Sequence, residues 1–282
     1  MSTTPPRQSL GFALGFIGVV IFAATLPVTR VALGGFSPWF ITFSRAVFAS
    51  VFALAALLIT RSPILGTRRL ETLLASLFLV IGFPSFANVA LQTVPASHGG
   101  VVLGILPLTT ALFAALFAGE RMPPLFWLSS FAGTGLVVGF SLRAGGGGLS
   151  SGDALLFLAS VSASIGYVIS GRLSRETPGW IVISRALVFA LPLTLTGTIA
   201  LLPADFSTVT PAQWSALAYL GFGSMWAGFV FWNIGLAMGG IARVGQVQLL
   251  QTFLTIAMSA VLLREAIGWE TIATALAVAA FI

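Results

Sequence analysis

The chain has 282 residues, of which 57% are hydrophobic and only 7% are charged. An ordinary globular domain carries roughly 25% charged residues, so this composition excludes a soluble enzyme built on a single core. The formal charge of +6 comes from arginine alone, and arginines scattered between apolar segments set membrane topology rather than bind nucleic acid.

Apolar segments of about 20 residues follow one another from Leu10 onward, each long enough to cross a hydrocarbon layer of roughly 30 Å as a helix. Charged, Pro-rich and Gly-rich positions separate ten predicted spans, at roughly 10–30, 37–60, 70–92, 97–118, 123–142, 152–173, 179–202, 211–237, 242–263 and 267–282. The first span follows Arg7 like a signal peptide, but it lacks a convincing cleavage site, so we predict a retained helix. The last reaches Ile282 within an apolar run, and we expect further residues beyond it.

The arginines outside the spans predict the orientation of the chain in the membrane. If the N-terminus is cytoplasmic, eight arginines face inward and three face outward. The inward set is Arg7, Arg61, Arg68, Arg69, Arg121, Arg172, Arg175 and Arg243, and the outward set is Arg30, Arg143 and Arg264. Because positive residues concentrate on the cytoplasmic side, we predict a multi-pass protein of the inner (plasma) membrane with both termini in the cytoplasm.

Two segments of the chain are repeated. Residues 37–45, SPWFITFSR, align with residues 177–185 at an offset of 140, with Pro, Ile, Ser and Arg identical. Residues 88–120 align without gaps with residues 233–265 at an offset of 145, and both segments begin with Asn and end with Glu. We therefore predict a duplication, with five-helix repeats at 1–144 and 152–282 joined by a flexible Gly-rich linker at 145–151.

The number of helices in each repeat determines how the repeats are oriented. Because five is odd, the second repeat enters the membrane from the opposite side, and the two repeats are inverted. The predicted fold is an all-α membrane protein with ten transmembrane helices in two inverted five-helix repeats. Such repeats can exchange their packing around a central site, as alternating access requires.

The order of these motifs resembles the EamA repeats of the drug/metabolite transporter superfamily. In the second helix of each repeat an Arg follows a Pro by seven residues, and the fourth helix ends on a Glu, at Glu120 and Glu265. Within the superfamily, the Trp-Asn-x-Gly pattern that begins at Trp232 and the aromatic eighth span resemble the YddG-type aromatic amino acid exporters. The resemblance implies a transporter of small metabolites; other members carry nucleotide sugars, triose phosphates, nucleosides or drugs.

The ninth span carries a polar stripe. Its polar residues, Gln248, Gln251, Thr252, Thr255 and Ser259, lie within roughly 100° of one helical face. Unpaired amides are costly in hydrocarbon, so this face meets either a cavity or another helix. We predict that Gln248 and Gln251, with Gln246 near the helix start, contact substrate, and hydrogen bonds between helices are the alternative.

Other candidates for substrate contact lie well inside their spans. Tyr167 and Trp226 are aromatic residues whose polar atoms need partners, and Phe22 lies midway along the first span. Pro107 leaves free a backbone carbonyl one turn earlier, which is a binding group for an ammonium ion. We predict that all four line the cavity, with packing or a helix kink as the alternative.

Repeat-related polar residues form a further group. Asn88 and Asn233 lie near the ends of the third and eighth spans, and we predict substrate contact, with capping or cross-helix hydrogen bonds as the alternative. Arg45 and Arg185 lie about two turns from the starts of their helices, close enough to snorkel to the interface. For these two arginines we predict a structural role.

Small residues recur at four-residue spacing within several spans. The pairs are Gly11 and Gly15, Gly100 and Gly104, Gly135 and Gly139, and Gly235 and Gly239. Because glycine lets helix backbones approach closely, we predict packing contacts at these pairs, including contacts between the repeats.

The acidic residues lie at or near the ends of the spans, so a carboxylate relay for protons through the bilayer core is hard to build. Glu120 and Glu265 are predicted to pair with arginines or with the N-termini of neighbouring helices. For His98, at the start of the fourth span, we predict a structural role at the interface, and a proton relay is the alternative. We predict transport down the gradient of the solute itself.

The remaining composition narrows the function. With no Cys, one His, no H-E-x-x-H pattern and one G-x-S-x-G match confined to the linker, we expect no metal, no cofactor and no enzyme. Two arginines within spans give too little converging charge for phosphorylated substrates. We predict alternating-access export of amino acids, aromatic or otherwise neutral, across a lipid bilayer. A channel, a lipid scramblase, or a drug or nucleoside exporter of the same superfamily is the alternative; no nucleic-acid partner is expected, and no oligomeric state is indicated.

Overall fold

The structure is a computed structural model that describes residues 5–144 and 150–281, and this part of the chain is helical apart from its connecting loops. The Gly-rich tract of the predicted linker, Gly145–Gly148, lies outside the described residues. The helices are α1 (Pro5–Ala23 and Thr25–Leu33), α2 (Pro38–Ile59), α3 (Arg69–Ala90), α4 (Ala96–Ala118), α5 (Pro124–Ala144), α6 (Ser151–Leu173), α7 (Gly179–Ala200), α8 (Pro211–Gly239), α9 (Ile241–Leu263) and α10 (Trp269–Phe281).

These ten helices coincide with the ten predicted spans. Eight of the described helices, α1 to α4 and α6 to α9, are long and apolar enough by length and composition to cross a membrane. Helix α5 contributes the apolar segment Trp127–Phe140, and α10 is shorter, with 13 residues. The predicted fold class, an all-α membrane protein with ten helices, is confirmed.

Local sequence explains where several helices begin and end. Ser37 caps α2 by accepting a hydrogen bond from a backbone N–H of the first turn, and proline follows at the first helical position. Helix α6 begins with a capping box of Ser150 and Asp153, in which each side chain accepts a backbone N–H of the other residue. Gly119 ends α4 in the left-handed conformation, which glycine adopts without steric cost.

Four helices are interrupted, two in each repeat, and the π-helical interruptions lie at corresponding places. Helices α3 and α8 contain π-helical stretches at Ser76–Gly82 and Tyr219–Ala227, which end at positions 145 residues apart. Helices α4 and α9 each contain a short 3-10 turn, at Leu103–Ile105 and Gln246–Gln248. Such interruptions occur frequently at functional sites. The duplication therefore extends to irregular backbone that hydrophobic periodicity does not predict.

The two repeats pack against each other through glycine contacts between α1 and α8. A Cβ added to Gly235 would lie 2.8 Å from the backbone nitrogen of Gly15, and one added to Gly11 would lie 2.8 Å from that of Gly239. The predicted packing role of these glycines is confirmed. The prediction is wrong for Gly135 and Gly139 in α5, where no described atom lies within 4 Å of an added Cβ, because this face of α5 packs against no neighbour at that depth.

Two glutamates tie the repeats together at opposite ends of α4 and α9. Glu265, just after α9, accepts hydrogen bonds from the first two backbone N–H groups of α4, at 3.0 and 2.9 Å. Glu120, just after α4, accepts from the first two N–H groups of α9, at 3.2 and 2.9 Å, and pairs with Arg175 at 2.8 Å. The predicted pairing of both glutamates is confirmed. Because each helix ends where the other begins, α4 and α9 run antiparallel, as inverted repeats require.

Candidate functional site

A central cavity lies where the two repeats meet. It is lined by Phe22, Thr25, Leu26, Arg45, Leu79, Phe83, Pro84, Leu103, Leu106, Tyr167, Ser224, Met225, Phe229 and Gln251. The empty space between these residues measures about 420 Å³, but the centre of a water molecule has only about 20 Å³ in which to move. One buried water needs roughly 10–15 Å³ by this measure. The cavity is therefore nearly closed.

The polar stripe of α9 faces this central region. Gln251 lines the central cavity, and Gln248 and Gln251 together line a smaller adjoining space of about 190 Å³ between α4 and α9. The side chain of Gln248 lies within hydrogen-bonding reach of the Tyr167 hydroxyl, and the Oε1 atom of Gln251 lacks a hydrogen-bond partner among the described residues. Gln246 lies outside both linings, and its Nε2 donates weakly to the carbonyl oxygen of Ala242 at 3.5 Å.

Two of the predicted aromatic residues lie in the cavity lining, and both contact Phe229. Phe22 is 4.9 Å from Phe229 and Tyr167 is 6.1 Å from it, measured between ring centroids. Both rings also meet Trp232 at close to right angles. These contacts are typical of edge-to-face aromatic packing, and they give one end of the cavity a wide apolar surface.

Trp226 lies elsewhere. It is absent from the central cavity lining, and its ring packs in a cluster with Phe52 and Phe222 between α2 and α8. Its Nε1 donates to the hydroxyl of Ser184 on α7 at 3.0 Å. The indole N–H therefore has a partner inside the protein, and this geometry supports the packing alternative.

Asn88 and Asn233 perform the same task in the two repeats. The Nδ2 atom of Asn88 donates to the Thr42 hydroxyl at 2.9 Å and to the carbonyl oxygen of the first residue of α2 at 3.4 Å. The Nδ2 atom of Asn233 donates to the carbonyl oxygen of the first residue of α7 at 3.3 Å, while its Oδ1 accepts from Ser170 at 3.0 Å. Both amides are buried, and both connect helices.

Pro107 is buried beside the cavity rather than in its lining. The 3-10 turn at Leu103–Ile105 comes just before it, and the α-helix resumes at Leu106. Pro107 lacks the backbone N–H that would donate to the carbonyl oxygen of Leu103, four residues earlier. Leu103 and Leu106, which flank this turn, do line the cavity.

His98 lies at one end of the bundle, away from the central cavity. Its Nε2 is 2.6 Å from the Oδ1 atom of Asp153 at the start of α6, and its ring stacks on Phe140 at 5.0 Å. The other carboxylate oxygen of Asp153 accepts hydrogen bonds from Ser150. The imidazole thus links the first repeat to the second through an anionic partner.

Arg45 is the cavity residue for which sequence reasoning predicted only a structural role. Its side chain is 2% exposed, so it does not snorkel, and its Nη2 donates to the Ser224 hydroxyl at 3.0 Å. The repeat-related Arg185 is half-buried and donates from Nε to the carbonyl oxygen of Pro63. A signal was present in the repeat: Ser224, which accepts from Arg45, corresponds to Leu79 at the offset of 145, so the two repeats differ at this position.

Comparisons with known proteins agree with this architecture. The model of the EamA-like transporter family matches residues 9–142 and 150–282, one match for each repeat. The uncharacterized transporter YdeK of Bacillus subtilis is 45% identical over 273 residues, which cover 96% of this chain and 95% of YdeK. A probable terminal-alkyne amino-acid exporter of Streptantibioticus cattleyicolor is 30% identical over 79% of this chain and 75% of its own.

The similarity to the YddG type is more distant than the motifs predicted. The aromatic amino acid exporter YddG of Ancylobacter novellus is 27% identical over 170 residues, or 59% of this chain and 58% of YddG. The match to YdeK is closer in identity and in coverage. The comparisons therefore show a multi-pass membrane transporter, not an enzyme, that acts on a small molecule across a lipid bilayer.

Proposed function

The chain belongs to the EamA-like transporter family, and from this premise we propose that it exports neutral amino acids, aromatic or other, by alternating access. The observation that carries the proposal is the composition of the central cavity. Phe22, Leu79, Phe83 and Phe229 supply apolar surface, and Gln251 supplies an amide oxygen without a partner. A zwitterion with an apolar side chain matches both kinds of surface.

Two relatives support the choice of amino acids as substrates. Their names describe an aromatic amino acid exporter and a probable terminal-alkyne amino-acid exporter. They match 59% and 79% of this chain. The likeness is at 27% and 30% identity, and the particular amino acid is left to the experiment below.

The mechanism we propose is alternating access, in which the repeats repack around the cavity. Repacking of inverted repeats would open this narrow cavity to one side of the membrane or the other. No carboxylate belongs to the described cavity lining, so we propose that transport follows the gradient of the amino acid. His98 remains the candidate relay if protons are coupled.

The test is counterflow in liposomes that contain the purified protein. Radiolabelled phenylalanine, tryptophan, leucine and threonine are offered outside vesicles loaded with each unlabelled amino acid. We expect saturable uptake. Unlabelled amino acid inside the vesicles should accelerate it, and unlabelled amino acid added outside should inhibit it. Flux that rises linearly with concentration, or transbilayer movement of a fluorescent lipid, would instead favour a channel or a scramblase.

We also propose that both termini are cytoplasmic and that the protein resides in the inner (plasma) membrane. The protein contains no natural Cys, so single cysteines can be introduced without background. Position 61 lies in the α2–α3 loop and position 205 in the α7–α8 loop. In intact cells an impermeant maleimide should label position 205 and spare position 61; the reverse result would invert the proposed orientation.

A further inference from the structure

Arg45 is a buried cation that lacks an anionic partner. Two of its nitrogens, Nε and Nη1, have no hydrogen-bond partner, and its recorded hydrogen bond runs from Nη2 to Ser224. None of the ion pairs among the described residues includes Arg45. An arginine remains protonated in a protein interior, so Arg45 brings a full positive charge to the cavity lining.

A purely structural role would predict a different environment. Buried charges are costly unless they are paired and fully hydrogen-bonded. The arginines near the ends of helices avoid this cost because they are partly exposed: Arg172 donates to the carbonyl oxygen of Phe117 and Arg185 to that of Pro63, and both hydrogen bonds lie at exposed positions. Arg45 lies deeper and keeps most of its donors unused.

The guanidinium is held in position by a short chain of hydroxyl groups. Ser224 accepts the hydrogen bond from Arg45, and its oxygen is also 2.8 Å from the hydroxyl oxygen of Thr25 on α1. Ser224 belongs to the π-helical stretch of α8, so both repeats contribute to this arrangement. These hydroxyl groups hold the Nη2 atom of Arg45 in place, and the Nε and Nη1 atoms remain available to bind a ligand.

We propose that Arg45 binds the carboxylate of the transported solute. That this solute is an amino acid rests on the proposed function. A guanidinium binds a carboxylate through two parallel hydrogen bonds, and this geometry suits its unused donors. A phosphate requires several converging cations, and Arg45 is the one cation in the described lining. The unpartnered Oε1 atom of Gln251, in the same lining, is an acceptor for the ammonium group of a zwitterion.

The test measures how much the carboxylate contributes to binding, apart from the rest of the substrate. Thermal stabilisation of the purified protein is measured with phenylalanine, leucine, their amides, and phenylacetate, which keeps a carboxylate without an ammonium group. The unaltered protein should prefer each acid over its amide by about tenfold or more in apparent affinity. Absence of this preference in the unaltered protein overturns the proposal without any variant.

Three variants then test whether Arg45 is responsible for the preference for the acid over its amide. In Arg45→Gln we expect the affinity for phenylalanine to fall by about tenfold or more and the preference over the amide to disappear. Arg45→Lys keeps the charge but not the fork, so it should retain part of the preference. The matched control is Arg185→Gln, which removes the repeat-related arginine and should leave the preference unchanged.

Each further outcome assigns a cause. If Arg45→Gln folds and keeps the full preference, the carboxylate binds elsewhere and the proposal is wrong. If phenylacetate stabilises the protein through Arg45 but no amino acid is exchanged in counterflow, the proposed function fails and the carboxylate site stands. If amino acids are exchanged equally well by Arg45→Gln, the function stands and the site fails.

Discussion

The two repeats present different chemistry to the cavity although they share one backbone plan. At an offset of 145, the apolar Leu79, Leu103 and Leu106 of the first repeat correspond to the polar Ser224, Gln248 and Gln251 of the second. The π-helical stretches and 3-10 turns recur in both. A symmetric frame can exchange its packing, whereas an asymmetric lining gives a bound solute one preferred orientation. We therefore assign the conformational change to the symmetric helices and the recognition of the solute to the asymmetric cavity lining.

The two arginines differ for the same reason. Arg45 donates to Ser224 across the interface between the repeats, and the position that corresponds to Ser224 in the first repeat is Leu79, whose side chain forms no hydrogen bonds. Arg185 reaches a loop carbonyl instead and remains half-buried. The repeats thus differ both at the position of Ser224 and Leu79 and in how deeply their related arginines are buried.

The largest effect is expected from installing the residue of the first repeat in the second. Ser224→Leu removes the hydrogen bond of Arg45 and adds bulk to a nearly closed cavity, so we expect transport to fall by about 10- to 100-fold. Counterflow measures the loss, and Ser224→Ala separates the lost hydroxyl from the added bulk. Normal transport by Ser224→Leu would mean that the asymmetry at this position has no role in recognition.

A smaller loss is expected when the amides of α9 are replaced by the leucines found at the corresponding positions of α4. We expect the double change Gln248→Leu and Gln251→Leu to reduce transport about tenfold, while folded yield stays the same, because hydrogen bonds between membrane helices are worth only about 0.6 kcal/mol each. Transport and thermal unfolding are measured together. Unchanged transport with lowered stability would assign both amides to helix packing.

Substitution of Glu120 and Glu265 tests whether the two repeats are equivalent in stability as well as in backbone structure. Because each accepts two backbone N–H groups at a helix start, Glu120→Ala and Glu265→Ala should each lower the unfolding free energy by about 1–2 kcal/mol. Arg175 adds little at Glu120, since the guanidinium side of that pair is largely exposed. Thermal unfolding in detergent compares the variants; a cost confined to one of them would show that the caps are not equivalent.

The smallest effect is expected at His98, which has no repeat-related histidine. If transport follows the gradient of the solute, His98→Ala should keep most of its activity, and an imposed pH gradient should not accumulate substrate. Uptake driven by an inward proton gradient and lost in His98→Ala would make His98 the relay. Proton-driven uptake that survives this change would direct attention to Glu120 and Glu265.

The sequence predicted the frame well because hydrophobic length and the repeat report directly on helices that span a membrane. Ten spans, two repeats and the partners of Glu120 and Glu265 follow from patterns along the chain. The cavity lining was harder to predict. Phe22, Tyr167 and Gln251 belong to it, but Trp226 and the two asparagines meet neighbouring helices instead. Helical periodicity gives the face of a residue, and it does not distinguish a cavity from an adjacent helix.

The role of Arg45 was missed for a related reason. Distance from the helix start predicts snorkelling when the helix end meets water, but here α8 covers that route and supplies Ser224. The interruptions in α3 and α8 were missed as well, because a π-helical stretch leaves the apolar pattern nearly unchanged. Tertiary packing decided both features.

The reciprocal glutamate caps also constrain how the protein is made. The first turn of α4 emerges early during synthesis, but the carboxylate that satisfies its two N–H groups arrives with Glu265, close to the last helix. The first two N–H groups of α4 therefore gain these partners only after α9 has been synthesised. The start of α4 in the first repeat thus depends on a residue of the second repeat, so the two repeats cannot complete their folding independently.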